Sequence, residues 1–93
     1  MFTTIRRFST VDHARSIAMI ADDFVPMIMA IDGIESYRLV DTGDGLVGIT
    51  TGVSEEAIRA SDEASAAWSA KQDRSVLGEL VSIHEGPLVH AAG

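Results

Sequence analysis

The chain's 93 residues, with 46% hydrophobic and 23% charged side chains, make one small globular unit, 1–93, whose own core leaves a thin margin of stability. Fourteen Asp and Glu against seven Lys and Arg argue against nucleic acid, whose phosphates need a basic footprint, and against an anionic membrane surface. The absence of cysteine excludes a disulfide framework, a thiolate metal site and a cysteine nucleophile.

Phe2 to Phe8 (FTTIRRF) is rich in aromatic, β-branched and Thr residues and predicts a first strand. Arg6 and Arg7 are followed by Ser9, Thr10 and Asp12 rather than by an apolar segment, so no signal peptide is expected and the protein reads as cytoplasmic. Ser9 is the expected N-cap of the first helix, with Asp12 at its third position. Ala14, Ile17, Ile20 or Ala21, Phe24, Ile28 and Ile31 then recur at helical spacing. Asp22 and Asp23 interrupt that run and rule out a membrane span. Pro26 removes one N–H and clashes with the carbonyl of Asp22, which predicts a kink or two abutting helices. Asp32-Gly33 ends the helix.

Two strand-like runs between Ile34 and Val53 flank Asp44-Gly45, a hairpin signal of the type I′ kind. The second of them carries apolar or small groups on both faces, Val47, Ile49, Thr51 and Val53 on one and Leu46, Gly48, Thr50 and Gly52 on the other. It therefore reads as central and covered on both sides. Ser54 caps a second helix with Glu55 and Glu56 in its first turn, and Ala57, Ser61, Ala64 and Trp68 share a face. Asp73 to Gly78 reads as a linker. Glu79 to Val89 reads as an edge strand, with a bulge expected at His84 to Pro87 because proline cannot sit in a central strand.

The order is strand, helix, strand, strand, helix, strand. Right-handed crossovers make this a ferredoxin-like α+β sandwich, βαββαβ, with a four-stranded antiparallel sheet and both helices on one face. The other face would be an exposed apolar surface unless a second copy covers it, so a homodimer is expected.

The stretch GIESYRLVDTGDGLVGITTGVSEEAIRASDEASAAWSA, preceded by FVPMIMAID, is similar to small dimeric α/β-barrel proteins related to the antibiotic biosynthesis monooxygenase group. Tyr37, the Asp-Gly hairpin and the Ala-rich helix ending in Trp68 carry the resemblance, which covers nearly the whole chain. It implies two sheets facing one another in a dimer and a pocket between helices and sheet in each subunit. Some members oxidise polycyclic aromatic compounds with dioxygen and neither metal nor flavin, and others degrade haem. The sequence departs from both. It has no Asn, Trp68 comes late in its helix, Lys71 stands near where the haem degraders place a His, and there is a single Tyr.

Other motifs resolve to ordinary roles. Gly43-Asp44-Gly45-Leu46-Val47-Gly48 matches a dinucleotide fingerprint by letter but is followed by a strand instead of a helix N-terminus. Asp41-Thr42-Gly43 copies the aspartic protease triplet in a chain whose helices contradict that all-β fold. His13, His84 and His90 lack metal-ligand spacing, so no metal site is expected. Met19, Met27 and Met29 read as gap-fillers. Arg6 shares a strand face with Phe2, Thr4 and Phe8 and needs a partner, either an ion pair at the interface or the carboxylate or enolate of a ligand.

The expected function is binding of a small, largely apolar or aromatic molecule, extending to cofactor-independent oxidation. Trp68, Tyr37, Arg6, Phe24 and Ile28 are the expected ligand contacts, and His84 and His13 the candidate bases. The alternative is a non-catalytic carrier, sensor or structural dimer of the same fold.

Overall fold

The structure, a computed structural model, describes residues 1–92. Strand β1 (Phe2–Ser9) leads into helix α1 (His13–Met19), a π-helical turn (Ile20–Phe24) and helix α2 (Val25–Met29). Strands β2 (Ile34–Asp41) and β3 (Leu46–Gly52) follow, then α3 (Glu55–Ala70), the single-turn α4 (Arg74–Leu77) and β4 (Glu79–Pro87). The four strands form one antiparallel sheet in the order β2-β3-β1-β4, the ferredoxin-like arrangement. Among the described residues no helix is long and apolar enough to cross a membrane.

Strand alternation divides the residues of the sheet. Phe2, Thr4, Arg6 and Phe8 of β1 stand opposite Gly52, Thr50, Gly48 and Leu46 of β3, on the side covered by helices. The core there joins Ile20, Phe24, Ile28, Ile34, Leu46, Ala57, Ile58 and Leu77. Thr3, Ile5 and Arg7 face the other way with Thr51, Ile49 and Val47, and a Thr3–Thr51 hydroxyl contact of 3.2 Å lies on that open side. β3 is central, as its two apolar faces predict, and β4 is an edge strand.

Several local expectations are corrected. Ser9 remains in the sheet opposite Glu79, so the helix starts later, with the Asp12 carboxylate accepting the Arg15 N–H at 3.1 Å. At Pro26 the stretch is built as two abutting helices, α1 and α2, whose junction is a widened turn upstream of the proline, with the Val25 N–H reaching back five residues to the Ile20 carbonyl. That extra residue per turn gives the proline ring room against the preceding turn and keeps the helical path continuous.

The hairpin is not a two-residue type I′ turn. Thr42 to Gly45 make a four-residue loop closed by the Thr42 N–H on the Gly45 carbonyl at 3.1 Å, with Gly43 at φ +87°. Asp41 accepts the Gly43 N–H at 2.9 Å and Asp44 accepts the Thr42 hydroxyl at 2.7 Å, so the aspartates build the turn. The expected linker contains α4, whose Val76 and Leu77 are buried. The Val76 carbonyl accepts from the Val11 N–H, the Asp12 N–H and the Ser16 hydroxyl, which fastens α4 to the start of α1.

The bulge in β4 lies not at His84 to Pro87 but at Val81, between Leu80 opposite Phe8 and Ser82 opposite Arg7. One extra residue reverses the inward-outward order of everything beyond it. His84 consequently stands opposite Ile5 and faces the open side of the sheet.

Candidate functional site

A recess opens between the helices and the sheet, walled by Phe8, Ile20, Phe24, Tyr37, Trp68 and Leu77, with Arg6, Gly48, Thr50, Ser65 and Ser69 supplying the polar and small parts. Its space, open solvent at the mouth included, is about 390 Å³, yet the centre of a water molecule can range over only about 20 Å³ of it. That is room for about one water. Any ring-sized guest must displace a side chain.

The elements that build this recess do so for local reasons. The π turn brings both Ile20 and Phe24 inward, and the Phe24 ring meets Tyr37 at 5.3 Å and Trp68 at 5.1 Å between centroids, in tilted, edge-directed geometry. Gly48 makes space for Tyr37, since a Cβ there would lie 2.6 Å from the phenol oxygen. Trp68, in the last turn of α3, is half-buried and forms the movable-sized part of the wall.

Arg6 is only 8% exposed. Its Nη2 donates to Asp62 twice, to Oδ1 at 3.2 Å and to the main-chain carbonyl at 3.2 Å. The ion pair is therefore within the chain, from β1 to α3. The Nε–H of Arg6 is buried and, among the described residues, has no acceptor. A donor left so costs of order 1–3 kcal/mol, more when charged, unless something occupies it. The Tyr37 hydroxyl likewise makes no hydrogen bond among the described residues, although Arg6 is close enough to act on its ionisation.

Burial pushes the Tyr37 phenol up to about 12, against a smaller opposing effect of the Arg6 charge. The anionic form is disfavoured in the fold, so the unfolded chain, with its ordinary value of 10.0, loses the proton first as pH rises. Stability is complete below about pH 10, and on the order of 2 kcal/mol is lost by about pH 12. Because Tyr37 is the single tyrosine, a spectrophotometric titration of phenolate absorbance reads it alone. The folded protein is expected to show no phenolate at pH 10, and a midpoint at the ordinary value would contradict the burial.

The structure brings Trp68, Tyr37, Arg6 and Phe24 together around the recess. Ile28 lies behind them, fully buried in the core rather than on the cavity wall. His13 is on the helical side at the end of the sheet, its Nδ1 3.0 Å from Asp41 Oδ1. The Gly43 N–H, with His13 adding to it, holds the Asp41 carboxyl below the usual carboxylate range. His84 is on the opposite face of the sheet. Among the described lining residues the titratable side chains are Arg6 and Tyr37, both hydrogen-bond donors at neutral pH.

Sequence reasoning missed Asp62 and Leu77. The signal for Leu77 is the adjacent apolar pair Val76-Leu77 in a stretch that otherwise reads as a linker. Asp62 follows Ser61 and precedes Ser65 on the buried flank of α3, but nothing local shows which strand residue it will meet.

No protein-family model matches the chain, and no curated protein matches it by sequence. Solved structures do. Rv0793 from Mycobacterium tuberculosis is 25% identical over 98% of this chain and 98% of its own, with a TM-score of 0.73. A monooxygenase from the gene ActVA-Orf6 of Streptomyces coelicolor, solved in complex with nanaomycin D, is 19% identical over 98% of this chain and 89% of its own, with a TM-score of 0.71. A structure from Chloroflexus aurantiacus assigned to the antibiotic biosynthesis monooxygenases is 20% identical over 99% and 96%, with a TM-score of 0.67.

Proposed function

Since the chain has the fold of the antibiotic biosynthesis monooxygenase group, we propose that it binds a small, largely apolar, carbonyl-bearing molecule in the recess between Trp68, Phe24, Tyr37 and Arg6. One observation carries this reading. A buried guanidinium with an unclaimed Nε–H and a phenol with no partner meet at a void walled by aromatic rings. Mostly apolar walls with a few convergent polar groups are what small-molecule sites offer. The likeness to a fold neighbour that holds nanaomycin D supports a flat, oxygenated ligand.

The activity such a site would support is oxidation by dioxygen without metal or flavin. With an anthrone, one ring CH2 becomes a carbonyl, one oxygen atom of dioxygen enters the product and the other leaves as water. Arg6 and Tyr37 would stabilise the enolate by donating to its oxygen. The substrate's proton would pass to solvent water or to His13. His84, on the far face of the sheet, is not positioned to take it.

We further read residues 1–93 as one cytoplasmic unit that works as a homodimer. Ile5 and Val40, 39% and 45% exposed, lie with Val47 and Ile49 on the uncovered sheet face, and a second sheet laid against it by a two-fold axis would bury them. Sedimentation equilibrium should give twice the chain mass, and a monomer at all concentrations would remove this part of the reading.

A non-catalytic carrier is the second reading, favoured by the small void and by walls that offer donors but no base. Oxygen uptake with anthrone, run beside a binding titration, separates the two. Uptake with matching quinone formation supports the enzyme, whereas binding without uptake supports the carrier. Neither binding nor uptake across an aromatic panel would leave a structural protein with a filled interior.

A further inference from the structure

The recess holds its charge in an unusual way. Arg6 is buried, but its Nη2 edge is already committed to Asp62, which grips it with both a carboxylate oxygen and the main-chain carbonyl of the same residue. The ion pair spans 3.2 Å, with side-chain exposures of 10% and 21%. A second carboxylate, Glu85, stands opposite Thr4 on the neighbouring strand β4, and the closeness of the Asp62 carboxylate holds its carboxyl above the usual range. The guanidinium's positive charge is thus matched, or more than matched, before any ligand arrives. What it keeps unclaimed is the Nε–H, which the packing seals from water until a guest displaces a wall side chain, and it offers no net charge.

We infer that Asp62 sets the charge selectivity of this site: the recess takes neutral carbonyl compounds and rejects carboxylates of the same shape. The inference rests on the proposed small-molecule reading and adds to it the class of polar group recognised. A neutral carbonyl oxygen can accept from Arg6 Nε and from the Tyr37 hydroxyl, satisfying two donors that the fold leaves open. A carboxylate would make the same bonds but would have to shed its hydration in a site whose cation is already neutralised. Its desolvation would go uncompensated by any net opposite charge. Asp62 is a positioning residue in this scheme, since it touches Arg6 and does not line the recess.

Acetophenone, benzoate and ethylbenzene are nearly equal in size and differ in the polar group, so they serve as probes. With the full-length protein at neutral pH, an NMR titration should show acetophenone binding at least about tenfold tighter than benzoate, with ethylbenzene between or below. Asp62→Asn keeps the side chain's shape and an acceptor for Arg6 while removing the matching charge. In that variant benzoate should gain about tenfold or more, and acetophenone should change by less than about threefold. A general loosening of the fold would move all three probes together, so the ratio is the readout. The ratio in the wild-type protein stands even where the variant fails to fold. Equal or tighter benzoate binding to the wild-type protein overturns this inference and leaves the cavity reading intact. Absence of binding by all three probes overturns both.

Discussion

Gly78→Ala is expected to lose on the order of 3–4 kcal/mol of stability, enough to unfold much of a small domain at physiological temperature. Gly78 joins α4 to β4 at φ +82° and ψ −151°, a conformation that side chains with a Cβ scarcely enter. A second effect is added to the backbone strain. A Cβ built on Gly78 would run into the Ser9 carbonyl, and that contact is backbone against backbone, with no flexible side chain to give way. Relief would require β4 to move off β1 at Ser9 and Glu79, where the pairing begins. Leu77 would move too, and with it one wall of the recess.

Gly43→Ala provides the comparison. Gly43 has nearly the same φ, +87°, but an added Cβ would have nothing within 4 Å. Strain alone then acts, at about 1 kcal/mol. Urea unfolding of the two variants should therefore differ by at least about 2 kcal/mol. Equal midpoints for Gly78→Ala and Gly43→Ala would mean that the close approach to Ser9 is not a constraint on the fold.

Trp68→Ala carries the second large effect, and it has two parts of opposite sign. Stability should fall by about 3 kcal/mol, the low end for removing a large ring, because Trp68 is only half-buried. Phe24 loses the neighbour at 5.1 Å that holds it against Tyr37. Binding of a small aromatic compound such as acetophenone should rise, by about tenfold, because the void that now admits about one water would gain the volume of an indole. The ligand should in turn restore part of the lost stability in proportion to its concentration over its Kd. Calorimetric unfolding with and without acetophenone measures both parts. A destabilised variant with no gain in binding would make Trp68 ordinary core packing and the recess a packing defect.

The order of strands and helices was legible in the sequence because each signal is local. The alternation of Phe2, Thr4, Arg6 and Phe8, the helical spacing of Ile20, Phe24 and Ile28, and the cap at Ser54 need only neighbouring residues to be read. The same alternation placed Arg6 on the covered face beside the aromatic residues. The errors arose where one residue more or less changes the answer. Pro26 predicts a kink or two abutting helices, but not that α1 and α2 join through one widened turn. The loop at Asp44-Gly45 has four residues because Asp41 and Asp44 both fold back onto it. The sequence lets His84 reach either a pocket or the dimer interface, and the extra residue at Val81 turns it away from the recess to the open face of the sheet.

Composition and pattern alone determined the α+β class, the edge position of β4, the central position of β3 and the aromatic and basic side chains that share one side of the sheet. Only the packed chain decided that Asp62 neutralises Arg6, that Arg6 keeps one donor free, and that Trp68 and Phe24 nearly fill the space beside it. Periodicity specifies which way a side chain points but not what stands opposite. Asp62 and Arg6 are far apart along the chain, and their distance is set by how closely α3 settles on small groups such as Ala57 and Ser61 against β3. That closeness depends on the side chains of both layers at once.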